Sequence, residues 1–276
     1  MRQLIAYIVL ASCLFLSLVS HADSPPASQG SIQKFQYKEA LKASQDAIGH
    51  QLSDYRLTNA AGRAVSLSDF RGKPLILSLV YTSCYKICPM TTRHLATVVE
   101  KAREALGKDN FSVALLGFDS RFDDPQAMQY FAKKQGVDDA DWHLLSADAD
   151  TINALTKELG FLFFASPNGF DHVVQASVID ADGRIYRQVY GEVFDTPLLV
   201  EPIKDLVLCR PQPNETLLSD LVNKVRFFCT NYDPLTDSYH FDYSLFIGMA
   251  IGAMIIIFGI AFMLREYYFG RRSPPA

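Results

Sequence analysis

From Tyr243 to Leu264 the chain runs 22 residues without a charge. At about 1.5 Å per residue, a helix of that length covers the ~30 Å hydrocarbon core of a bilayer. No other feature constrains the fold so tightly, because whatever precedes such a span must fold on one side of a membrane. Arg265, Arg271 and Arg272 follow the span, whereas Asp233, Asp237 and Asp242 precede it. The arginines place residues 265–276 in the cytoplasm and everything before Tyr243 outside. Tyr243, Tyr267 and Tyr268 stand where interfacial aromatics anchor a span. Gly248 and Gly252 form a GxxxG pair, but glycine is common in membrane helices, and the pair alone assigns no dimer.

A second apolar run opens the chain. Arg2, the stretch LIAYIVLASCLFLSLVS, and the small residues Ser20 and Ala22 read as a secretory signal peptide of residues 1–22, with an uncleaved anchor as the alternative. Residues 23–45 begin DSPPASQGS and are expected to be a flexible leader. A folded domain is expected over 46–208, a connecting segment over 209–242, the transmembrane helix over 243–264 and a cytoplasmic tail over 265–276. The expected location is the bacterial cytoplasmic (inner) membrane, single-pass, with the main domain on the outer, periplasmic side. Formal net charge is −4, and no basic cluster lies outside the cytoplasmic end, so the chain lacks the footprint of a nucleic-acid binder.

Within the domain, elements alternate. VSLSDFRGKP at 65–74 leads into LILSLVYTS, a near-continuous apolar run of the kind a strand buried on both faces requires. Leu95, Val98, Val99, Ala102 and Leu106 then recur at helical spacing, which predicts a helix from Pro89, at its first position, to Leu106, stopped by Gly107. FSVALLGFD at 111–119 is a second buried strand, and Asp124-Pro125 opens a helix to about Gln135. WHLLSAD at 142–148 is a short strand, Asp150 is the expected cap of the helix TINALTKELG, and FASPNGFDH is expected as a loop. VVQASVID and RIYRQVY are strands joined by a hairpin turn at Ala181-Asp182-Gly183, and a last helix spans about Thr196 to Leu208. The pattern is α/β, with a parallel core and an antiparallel edge.

On this scaffold Cys84 falls where the first buried strand ends, and Cys88-Pro89 begins the helix. The carboxyl end of a parallel strand is where α/β folds place their chemistry, and a helix N-terminus favours a thiolate. One helical turn separates the two sulfurs, so both can face one ligand. Metal ligation and redox exchange both need these conditions; a structural disulfide does not, though the spacing allows it. Two thiolates need a further ligand for copper, and imidazole suits it. The candidates are His50, His94, His143, His172 and His240. His172 stands out, since GFDHVVQASVID puts it at the mouth of a strand expected beside the cysteine strand, with Asp171 adjacent to orient its ring.

YTSCYKICP, then LLGFDSRFDDP at 115–125, then DHVVQASVIDADG at 171–183 resemble the three signature blocks of the Sco/SenC proteins. The resemblance covers roughly residues 45–207, with the blocks in the same order and spacing. It implies a thioredoxin-like domain with a mixed, largely parallel central sheet, here followed by one C-terminal transmembrane helix. It also implies a copper chaperone for the copper-centre subunit of cytochrome c oxidase, binding Cu(I) or Cu(II) through Cys84, Cys88 and His172; it names no copper donor. Many relatives carry an acidic residue near the cysteines, where this chain has Tyr85, Lys86 and Met90, and the lysine charge disfavours Cu(II) relative to Cu(I). Most are also anchored by an N-terminal rather than a C-terminal helix.

The rival reading is a thiol–disulfide oxidoreductase, with Cys84 attacking and Cys88 resolving. A peroxide scavenger is disfavoured because Lys86 and Arg93 fit no peroxidatic motif. Asp119 and Asp123 either touch the copper pocket or serve turn chemistry, and turn chemistry is preferred. Met90 and His94, four apart, are a lesser candidate for a copper-entry patch. Of five cysteines, Cys13 leaves with the signal. In an oxidising compartment Cys209 and Cys229 are expected as a structural disulfide stapling the connecting segment, and Cys84–Cys88 as a reversible one.

Overall fold

The computed structural model describes residues 36–208, 230–233, 236–241 and 244–270. Residues 1–22, read above as a signal peptide, and both Cys209 and Cys229 lie outside the described residues, as do Tyr243, Arg271 and Arg272.

The described residues open with α1 (Tyr37–Asp46), then a hairpin of β1 (Arg56–Asn59) and β2 (Ala64–Ser66), and then β3 (Leu75–Val80). Helix α2 (Ile87–Leu106) follows, then β4 (Ser112–Gly117), α3 (Pro125–Gln135), β5 (Trp142–Ser146) and α4 (Ala149–Glu158). A small hairpin, β6 (Phe163–Ser166) with β7 (Gly169–His172), stands as its own two-stranded sheet. The domain closes with β8 (Gln175–Ile179), β9 (Ile185–Tyr190) and α5 (Thr196–Leu208).

Seven strands form one mixed sheet in the order β2-β1-β5-β4-β3-β8-β9. Parallel pairing joins β5, β4 and β3 at its centre, and antiparallel pairs flank them on both sides. Every residue of β3 and β4 is buried, as their unbroken apolar runs demand. Helix α2 buries Leu95, Val98, Val99, Ala102 and Leu106, the stripe its spacing predicts.

The elements depart from the sequence reading in four places. Helix α2 starts at Ile87 rather than Pro89, so Cys88 lies inside its first turn. First-turn amides have no intrahelical acceptor, so a proline at the third position costs no hydrogen bond. Asp148, not Asp150, caps α4, accepting from the Thr151 amide at 2.9 Å. FASPNGFDH is not a loop but the greater part of the β6–β7 hairpin. Residues 37–46, assigned to the leader, are helical: α1 buries Ala40 and Ser44, and the Ser44 hydroxyl meets the Tyr190 phenol at 3.0 Å. Gly160, with φ +65°, lets the α1 backbone approach so closely that a Cβ there would overlap Ala43.

Past the domain, β10 (Thr230–Asp233) and β11 (Ser238–Phe241) pair as a hairpin. Its turn residue Asp237, at φ +45°, pairs with Lys101 of α2 and accepts from Thr196 Oγ1 at 2.7 Å. The Tyr239 phenol donates to Glu201 of α5 at 3.0 Å. Helix α6 (Ser244–Gly270) contains a stretch, Phe246–Tyr267, of 22 residues that is long and apolar enough to cross a membrane, none of it buried.

Candidate metal centre

The β3 strand ends at Val80, and Tyr81 to Lys86 turn the chain into α2. A buried carboxylate braces this loop. Asp123 accepts from the Thr82 amide at 2.8 Å, from the Thr82 hydroxyl at 2.7 Å and from the Asp119 amide at 2.8 Å. Burial pushes the Asp123 carboxyl up, against these three donors, which pull it down. Turn chemistry thus describes the FDSRFDDP block, with Asp124 capping α3, but the turn also holds the cysteine loop.

Both cysteines are free and buried. No side chain caps α2, and its first turn carries no acidic residue. Instead the Cys84 sulfur accepts from the Cys88 amide at 3.2 Å. The Cys88 thiol also donates to that sulfur; together with the Cys88 and Lys86 amides and the Tyr81 phenol, this overcomes burial and lowers the Cys84 thiol to about 5. The same sulfur–sulfur hydrogen bond, reinforced by burial, drives Cys88 far above the ordinary thiol range. The pair is one thiolate and one thiol sharing a proton between unequal sites.

Register decides which histidine shares this end of the sheet. Because β8 runs antiparallel to β3, with Ser78 opposite Ala176 and Leu75 opposite Ile179, the residues preceding Gln175 lie at the cysteine end. His172 closes β7 just before it. His50, next to Gln51 and its bridge to Arg184, lies at the far end of β9, and His143 sits early in β5 against Phe70. His94 Nε2 lies 2.8 Å from the Phe194 carbonyl and 3.1 Å from its amide, so that nitrogen is engaged by the Phe194 backbone and not offered to a Met90–His94 entry patch. The side chain of His240 lies outside the described residues.

The His172 ring packs against Phe161, Phe118 and Tyr81 at centroid distances of 5.1, 5.5 and 6.3 Å, and Phe163 and Phe170 complete the cluster around Phe118. Burial in these rings lowers the His172 pKa, keeping the ring neutral, although the Cys84 charge and the Val173 carbonyl pull the other way. Its Nδ1 lies 3.0 Å from the Val173 carbonyl; that oxygen only accepts, so Nδ1 carries the proton and Nε2 keeps its lone pair. Among the described residues, no three His, Cys, Asp or Glu side chains stand close enough together to enclose an ion. The two cysteines are joined through the Cys88 amide and the Cys84 sulfur, and the imidazole, on its separate hairpin, packs edge-on to the Tyr81 ring. As donors, a thiolate, a thiol that can lose its proton and a neutral imidazole suit copper better than hard cations.

Reading the sequence missed Tyr81, Thr82 and the aromatic cluster. The signal for the cluster was the run Phe161-Leu162-Phe163-Phe164, too aromatic for a solvated loop.

A low-pKa thiolate at a helix N-terminus, next to a central strand of a mixed sheet, defines a thioredoxin-like thiol protein, here with an imidazole added. The chain belongs to the SCO1/SenC family, whose model matches residues 43–208. It is 24% identical over 158 residues to the SCO1 protein homolog of Bacillus subtilis, covering 55% of this chain and 79% of that protein. Among solved structures it is similar to BsSco, a member of the Sco family of cytochrome c oxidase assembly proteins in which a disulfide switch was identified. That likeness has 18% identity and a TM-score of 0.51, covering 59% of this chain and 96% of the other. It is also similar to yeast Sco1 with copper bound, at 15% identity and a TM-score of 0.50, covering 62% and 96%. At these identities the two structures speak to the fold.

Proposed function

We propose that the chain is a copper metallochaperone serving assembly of the copper centre of cytochrome c oxidase, with Cys84, Cys88 and His172 as its copper ligands. Family membership supports the role. The observation that carries the ligand set is the unequal thiol pair at the start of α2, with a neutral imidazole at the same end of the sheet. Copper is cargo here. Cu(I) meets the Cys84 thiolate first, Cys88 gives up its proton to become the second ligand, and the Nε2 lone pair of His172 is available to the oxidised ion. The α6 helix would hold this domain at the outer face of the membrane.

One observation favours a second reading. A thiolate at Cys84 and a protonated Cys88 are also the attacking and resolving partners of a thiol–disulfide oxidoreductase. Cys84 would attack one sulfur of a target disulfide and expel the other as thiolate; Cys88, on losing its proton, would then attack Cys84 in this mixed disulfide, closing the Cys84–Cys88 disulfide and releasing the target's first sulfur as a second thiolate.

Anaerobic loading of the full chain with Cu(I), in competition with Zn(II), separates the readings. The chaperone retains one copper per chain, and Cys84→Ser and Cys88→Ser each abolish retention. Tighter binding of zinc would end the chaperone reading, and no copper with brisk disulfide exchange would hand the site to the enzyme.

A further inference from the structure

A groove of about 480 Å³ opens beside Cys84 and runs along α3 to Lys134. Its lining includes Cys84 but neither Cys88 nor His172. Tyr85, Phe122 and Tyr130 line it at 86%, 60% and 71% exposure. Three large aromatics held out in water around one groove are the composition of an interface anchor rather than of a solvated face. The charge of the lining is one-sided: Arg93 and Lys134 line the groove and no carboxylate does, while Arg121, whose guanidinium lies 5.5 Å over the Phe122 ring, is paired with Asp119 at 3.4 Å.

We propose that this groove seats an extended, acidic, cysteine-bearing segment of the copper acceptor. The proposal rests on the copper-delivery reading and adds how the acceptor is recognised. Aromatic walls grip an extended backbone, Arg93 and Lys134 select carboxylates, and the register brings an incoming thiolate to Cys84. Copper then passes by ligand exchange, with the acceptor sulfur bonding before Cys84 lets go.

The test uses full-length protein in detergent and two synthetic peptides of about a dozen residues, enough to span ~40 Å extended. Each carries two cysteines; one has three glutamates, and the other has lysines in their place. Docking is read by fluorescence anisotropy on metal-free protein with S-methylated peptides, so it does not depend on whether copper binds. The acidic peptide is expected to bind roughly tenfold tighter than the basic one. Tyr130→Ala should weaken it by roughly tenfold, and Lys134→Glu should erase the preference, while the Cu(I) content of both variants, measured separately, stays that of the wild type. Both side chains are exposed, so neither change threatens the fold. Equal binding of the two peptides, or binding indifferent to both substitutions, overturns the groove assignment and leaves the copper site standing. Absent copper with selective docking overturns the delivery reading instead.

Discussion

The Cys88 amide points at the Cys84 sulfur across 3.2 Å, so the sulfur stands in for the capping oxygen that α2 lacks. Proton bookkeeping follows from this contact. Cys84, lowered to about 5, is already ionised at neutral pH, whereas Cys88 still holds its proton. Binding Cu(I) through both sulfurs therefore releases one proton, not two. Affinity should rise about tenfold per pH unit between roughly pH 6 and 8. Competition against a Cu(I) chelator across that range checks it, and a hundredfold rise per unit would contradict the asymmetry.

The thiolate also leans on Tyr81, whose phenol occupies the space that Gly169 leaves open. That glycine has φ +117°, and a Cβ there would meet the Tyr81 oxygen at 2.7 Å. Gly169→Ala should cost about 1–3 kcal/mol from the backbone alone. It should also move the phenol off Cys84, raising that pKa toward the ordinary thiol range, as thiolate absorbance during a pH titration would show. An unchanged titration would remove Tyr81 from the site.

Asp123 accepts three hydrogen bonds, and an asparagine can supply only one oxygen for them. In Asp123→Asn the amide N–H₂ faces either Thr82 or the Asp119 amide, donor to donor. Loss of about 1–3 kcal/mol is expected in denaturant unfolding. Because the Asp123 charge is one of the forces raising Cys88, copper affinity at neutral pH should not fall in parallel.

Asp237 ties the β10–β11 hairpin to α2 and α5, and Lys101 beside it holds its carboxyl down at about 2. Asp237→Asn keeps a residue tolerant of the left-handed turn while removing the charge. The pair is half exposed, so the loss should be only ~0.5–1 kcal/mol, seen as faster hydrogen exchange confined to the hairpin amides.

Much of this was legible in sequence because it was local. The buried runs of β3 and β4, the stripe of α2 and the turn before β9 each announced themselves within one element, and the β3–β8 register puts His172 at the same end of the sheet as the cysteine loop. What was not legible depended on distant partners. Helix α1 buries only small Ala40 and Ser44, so it shows no apolar stripe. Strands β6 and β7 are four residues each and only partly buried, too short for a period to emerge. The ring cluster joins Phe118 to Phe161 and Phe170 across separate elements, and no local pattern encodes that meeting.

The central claim is that one imidazole and two sulfurs, on different elements, hold one metal. Burial lowers the His172 pKa, so its contribution should persist to lower pH than that of an exposed imidazole. The direct measurement is the electron paramagnetic resonance spectrum and copper content of Cu(II)-loaded protein beside His172→Ala, with Cu(I) content in parallel. The account predicts that the variant keeps Cu(I) and loses bound Cu(II) together with its nitrogen hyperfine coupling. Full retention of an unchanged Cu(II) spectrum in the variant would contradict it.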